Sequence, residues 1–153
     1  PARLGQGLRP HPSGVRAGGM TAGTGPHTGG CLCGQVRYRV DSPIMDVAHC
    51  HCTMCRRASG AVAVTWFTIR PDAFTLTVGQ LRHWRSSPQA TRGFCPGCGC
   101  QITFQTWTAQ DQLDVTLSTL DAADQYAAVR HIWTESRLPW LTLDPDLPAS
   151  DQE

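Results

Sequence analysis

The chain has no lysine. All thirteen basic residues are arginine, set against twelve acidic ones, and the net charge is +1. A nucleic-acid binder that works by bulk electrostatics shows a large basic excess, so this balance argues against that class. It also makes every cationic contact a planar fork suited to carboxylates. Charge of either sign is sparse, at 16% of residues. No run of eighteen apolar residues occurs, so no membrane-spanning helix is expected. The N-terminus lacks the apolar core of a signal peptide, which makes the cytoplasm the expected location. With 153 residues, 41% of them hydrophobic, there is room for one domain with a buried core.

Cysteine, by contrast, is abundant. The eight cysteines fall as Cys31-x-Cys33, Cys50-x-Cys52-x-x-Cys55 and Cys95-x-x-Cys98-x-Cys100. In a secreted chain they would suggest four disulfides. The clustering, the missing signal peptide and a length that needs no staples point instead to metal or redox sites.

Residues 1–26 carry many Gly, Pro, Arg and Ser/Thr and almost no large apolar side chains, so they are expected to be disordered. Met20 is the first methionine and a candidate translation start. From there on, turn residues separate short stretches with strand chemistry. Val36, Tyr38 and Val40 alternate with polar neighbours, the period of a half-buried strand. Ile44 to Cys50 reads as a second strand, and Thr53 to Ser59 as a short helix stopped at Gly60. Ala61 to Phe67, Phe74 to Val78, Gln101 to Trp107, Leu113 to Thr119 and Val129 to Glu135 supply further strands. Pro71-Asp72-Ala73 suggests one helical turn, and Asp121 to Tyr126 another short one. The fold class expected is mainly β, a small antiparallel domain with many short strands and few short helices. It is expected to span residues 27–145, followed by a flexible tail over 146–153.

Cys31/Cys33 and Cys95/Cys98 are the inventory of a closed tetrathiolate zinc site, tying the first strand to the middle of the chain. Pro96 and Gly97 fit a tight knuckle whose amides face the sulfurs. In an extended segment Cys50 and Cys52 leave from one face, and Cys52-x-x-Cys55 matches a metal-gripping loop. This second group is either an open site with a vacant fourth position or a closed one. The possible fourth ligands are Cys100, His49 and His51. His51 points to the opposite face from its cysteine neighbours, and Cys100 shares the knuckle of Cys98, which should keep it near the first site.

Four stretches, in order, resemble the glutathione-dependent formaldehyde-activating family, which includes centromere protein V-like proteins. They are Gly30-Cys31-Leu32-Cys33-Gly34-x-Val36-x-Tyr38, Cys50-His51-Cys52-x-x-Cys55-Arg56-x-x-x-Gly60-Ala61, Phe94-Cys95-x-x-Cys98-Gly99 and His131-Ile132-Trp133-x-x-Ser136-x-x-Pro139-Trp140. The resemblance covers residues 28–143. It implies a zinc-binding β-sandwich-like domain with two zinc ions per chain. The structural zinc would lie at Cys31, Cys33, Cys95 and Cys98, and the catalytic zinc at Cys50, Cys52 and Cys55 with an open position. It further implies a carbon–sulfur lyase reaction on the adduct of glutathione, or a similar thiol, with a small aldehyde such as formaldehyde.

Arg56, beside Cys55, is a candidate for offsetting thiolate charge or gripping a glutathione carboxylate. His49 and His51 are candidates for moving a proton between thiol and carbonyl oxygen. The ordinary alternatives are a surface arginine and packed histidines. Two other readings use the same residues. One is a zinc-stabilised interaction module, favoured if Cys100 closes the second site. The other is a thiol redox enzyme of the B-type methionine sulfoxide reductase kind, with Cys100 as its reactive thiol.

Overall fold

The structure is a computed structural model and describes residues 25–153. The segment expected to be disordered lies, but for its last two residues, outside that range. The strands are β1 (His27–Gly30), β2 (Arg37–Val40), β3 (Asp46–Cys50), β4 (Val64–Ile69), β5 (Phe74–Val78), β6 (Arg82–Ser87), β7 (Ala90–Phe94), β8 (Gln101–Thr106), β9 (Leu113–Thr116), β10 (Arg130–Ile132) and β11 (Ala149–Ser150). One helix, α1 (Thr53–Ser59), interrupts them, with single 3-10 turns at Pro71–Ala73, Leu117–Thr119, Ala123–Gln125 and Thr134–Ser136. No helix among the described residues is long and apolar enough to cross a membrane.

The fold is mainly β, as its period-two patterns require. A three-stranded sheet runs β1-β2-β5, and an eight-stranded sheet runs β11-β10-β3-β4-β9-β8-β7-β6. Pairing is antiparallel except where β10 lies parallel to β3 and to β11. The two sheets share one core. Val36, Tyr38 and Val40 come from the small sheet's segment, and Val47, Phe67, Ile69 and Val115 from the large one. Each is under 2% exposed, and burial of such a side chain stabilises by about 1.5–3 kcal/mol.

Helix α1 has the bounds its sequence predicts. It stops at Gly60, whose φ of 69° is the left-handed turn glycine adopts without a Cβ penalty. Two expected strands are shorter than read. Leu113–Thr116 gives way to the 3-10 turn at Leu117–Thr119, and Arg130–Ile132 to the one at Thr134–Ser136. Residues 146–153, expected as a flexible tail, lie along the open edge of β10. Ala149–Ser150 pairs with it, the Thr134 hydroxyl donates to Asp151 at 2.8 Å, and Arg130 forms an ion pair with Glu153.

The outer face of the large sheet matters most for chemistry. Register aligns Arg92 opposite Phe104, Phe104 opposite Asp114, Asp114 opposite Thr68, and Thr68 opposite Asp46. Two residues further along, Trp66 pairs with Ala48 and Arg130 pairs with Ala48 from the other side. Two more bring in Ile132, Cys50 and Val64.

Candidate metal centre and cleft

The tetrad forms where two segments meet. Cys31 and Cys33 flank the turn after β1, closed by the Cys31 amide on the Val36 carbonyl at 3.0 Å. Cys95 and Cys98 sit on a knuckle held by the Gly99 amide on the Cys95 carbonyl at 2.9 Å, with Gly99 at φ 73°. All four sulfurs lie within 4.8 Å of one another, and this is the one such group found among the described residues. Cys31 to Cys33 is 3.5 Å and Cys33 to Cys95 is 3.7 Å. Sulfurs placed tetrahedrally about 2.3 Å from a zinc ion sit about 3.8 Å apart. The tetrad therefore fits a zinc-sized metal ion. Its proton chemistry says the same. Burial pushes Cys31 up, but the Val36 amide and the Cys95 and Cys33 thiols outweigh it and hold Cys31 at about 6. Cys33 is pushed up to about 12; the Gln35 amide lowers it, and burial with its three thiol neighbours overrides that. Four thiols this close cannot all ionise without a cation among them.

The second cysteine group is built differently. Cys50 ends β3 and faces the outer side of the sheet. Cys52 caps the N-terminal end of α1, and Cys55 is on its first turn, 4% exposed. The Cys55 thiol neighbours both of the others. That contact is the main cause lowering Cys50 and the main cause raising Cys52. Cys55 itself is raised, chiefly by Cys50. The three sulfurs gather around Cys55 but are not as tightly convergent as the tetrad. They line a cleft of about 620 Å³. Trp66, Phe104, Trp133, Met54, Asp114 and Arg130 also line it. Trp133 has φ 59°, a strained left-handed value for a bulky residue, which turns its backbone into the Thr134–Ser136 turn beside the cysteines.

The structure brings Cys50, Cys52 and Cys55 together at this cleft. It does not bring His51 or Arg56 into its lining. His51 is 1% exposed on the opposite side of the segment, with Nε2 3.0 Å from His131 Nδ1. Burial, then the His131 and His49 charges, lower it to about 4. His49 binds the Thr65 hydroxyl at 2.8 Å and stacks on His131. Arg56 donates to the carbonyls of His51 at 3.2 Å and Ser136 at 3.0 Å, which locks α1 to the turn after β10. Cys100 belongs to the tetrad's surroundings: its thiol is raised by burial and by the charges of Cys98, Cys31 and Cys95.

Two cleft residues escaped the sequence reading. Arg92 is 3% exposed, lies over the Phe104 ring at 4.6 Å, and donates from Nη2 to Cys55 Sγ at 3.4 Å. Asp114 accepts from the Thr68 hydroxyl at 2.6 Å, and burial pushes it up to about 6. A lone charged residue inside a short strand was their only signal, and it names neither the face nor the neighbour.

A two-sheet β domain with four cysteines that could hold a metal ion, and a second cysteine group in a cleft, defines the class of protein. A family model described as "Glutathione-dependent formaldehyde-activating enzyme" matches residues 26–136, and the chain belongs to that family. Among solved structures, a Rhodobacter sphaeroides protein determined by structural genomics is 22% identical with a TM-score of 0.55. It covers 66% of this chain and 96% of its own. At that identity the likeness speaks for the fold.

Proposed function

We propose that the chain is a carbon–sulfur lyase-type enzyme. It would act on the adduct of glutathione, or a similar thiol, with a small aldehyde such as formaldehyde. The observation that carries this reading is the contrast in placement of the cysteines. Four converge within 4.8 Å of one another where the β1–β2 turn meets the β7–β8 knuckle, whereas Cys50, Cys52 and Cys55 line a cleft with a buried guanidinium on one sulfur. Their donor set fits a second zinc ion, which when bound would favour a thiolate at neutral pH and polarise a carbonyl.

In the lyase direction the carbon–sulfur bond of S-hydroxymethylglutathione breaks. Its hydroxyl proton leaves, the carbonyl forms, and the sulfur takes the electron pair and a proton. Cys50, Cys52 and Cys55 would hold the metal. Trp66, Phe104 and Trp133 would exclude water from the sulfur. Arg56 and His51 would act by holding the cysteine segment in shape, through the contacts to Ser136 and His131.

Cys100 would have to approach Cys50 to close the second site and make the domain an interaction module. Its place beside the tetrad supports the enzyme reading instead. The test is exchange of labelled formaldehyde with S-hydroxymethylglutathione, followed by NMR on zinc-loaded chain. Exchange well above the uncatalysed rate, lost in Cys52→Ser, is expected. Exchange at the uncatalysed rate would overturn the proposal.

A further inference from the structure

Arg92 is the one buried arginine among the described residues. Arg37, Arg39, Arg70 and Arg130 each pair with a carboxylate, and Arg92, the most buried of these five arginines, pairs with none among the described residues. Its Nε and Nη1 are buried without any hydrogen-bond partner. A buried cation left alone is costly, and such groups are ordinarily paired. Among the described residues, the single polar contact its side chain makes is from Nη2 to Cys55 Sγ. Its stem rises from the middle of β7 and its plane is held against Phe104, the residue opposite it in register. The guanidinium is thus aimed at one sulfur by a rigid strand. It is also set apart from the Asp46–Arg130–Glu153 pairs, which already satisfy one another.

We propose that Arg92 is the positioning residue that lets the Cys50/Cys52/Cys55 centre accept an anionic sulfur ligand. The inference rests on reading the triad as a zinc-holding centre. Three thiolates around a divalent cation carry a net charge of −1, and one more thiolate would make it −2. A buried guanidinium on Cys55 returns the assembly to −1 and draws electron density from that sulfur, which weakens its hold on the metal relative to the newcomer. Arg56 makes no such contact; its donors are engaged with the His51 and Ser136 carbonyls and the Thr53 hydroxyl.

The test uses the full chain loaded with cobalt in place of zinc. The probes are glutathione and the uncharged thiol 2-mercaptoethanol. Thiol-induced change in the sulfur-to-cobalt absorption reports on the triad, because a tetrad with four sulfurs has no room to respond. Arg57→Met, at an exposed position on α1, controls for loss of a nearby charge. Wild type and Arg57→Met should respond to both thiols with dissociation constants within twofold of each other. Arg92→Met should keep its cobalt but bind both thiols about tenfold more weakly or worse, and Arg92→Lys should fall between.

An Arg92→Met constant within twofold of wild type overturns the proposal. So does weakening confined to glutathione, which would mean that the guanidinium reads the tripeptide's carboxylates. If Arg92→Met takes up no cobalt at the triad, Arg92→Lys decides. Uptake and response to both thiols then uphold the role of charge, and a second failure overturns it. A wild type indifferent to both thiols removes the lyase reading and this inference with it, whereas an unaffected Arg92→Met removes the inference alone.

Discussion

The tetrad and the triad use the same side chain at nearly the same spacing, yet they are placed for different work. Cys31 and Cys33 come from the turn between β1 and β2, and Cys95 and Cys98 from the knuckle between β7 and β8, so closing the tetrad ties the small sheet to the large one. Its ligands are more than sixty positions apart in the chain, and any metal it binds contributes directly to the folded state. The triad spans six positions of one β3–α1 corner and joins nothing remote. Its shape depends on Arg56, on the histidine stack behind it and on Arg92 beside it. A closed cage supplies stability, while a short corner at a cleft can leave one side free for chemistry.

Mutation can break this contrast directly. Cys95→Ser, at a fully buried tetrad position, should cost more than about 4 kcal/mol of stability and one zinc per chain. Denaturant unfolding with metal analysis checks this, and a near-native variant would sink the assignment. Cys52→Ser should instead lower formaldehyde exchange by about a hundredfold or more while moving Tm by only a few degrees. Kinetics and calorimetry on one preparation would separate the two effects.

A competing chromophoric chelator sharpens the comparison without mutation. Two release phases are expected, the fast one from the three-sulfur site and slowed by added glutathione. Arg56→Ala should cost about 1–2 kcal/mol, the scale of the two carbonyl bonds it makes, and loosen the triad's metal before the tetrad's.

The smallest effect concerns an acidic residue of the cleft lining. The Asp114 carboxyl is raised to about 6 in the fold, so the folded state holds its proton more tightly than the unfolded chain does. Stability from this group is present below the unfolded value and is lost as pH rises through about 6. Asp114→Asn should therefore gain about 1 kcal/mol relative to wild type on going from pH 5 to pH 7, a figure reduced for its partial exposure. Unfolding titrations at the two pH values measure it, and a pH-independent difference would contradict it.

Much of this was legible in the residues alone. Helix α1 was readable from its seven residues and Gly60, because capping and backbone preference are local. β2 was readable from Val36, Tyr38 and Val40, because alternation is a property of one strand. The tetrad was readable from two close pairs, since four thiols are a common ligand set for a closed zinc site. The likeness in chemistry-bearing stretches likewise sufficed for the family. The charge partner of the triad was not readable: Arg56 is its sequence neighbour, and Arg92, 37 positions from Cys55, is its neighbour in space.

The amino-acid sequence by itself determined the β class, the short helix, the four cysteines of the tetrad and the face from which Cys50 and Cys52 depart. Each follows from spacing within a few residues. Only the tertiary structure decided which arginine touches a cysteine, that His51 turns to His131, that Cys100 stays with the tetrad, and that Asp114 shares a row with Arg92. Those outcomes depend on strand order and register across β7, β8, β9, β4 and β3. Register is set by how two sheets bury a common core, and no local pattern carries that information.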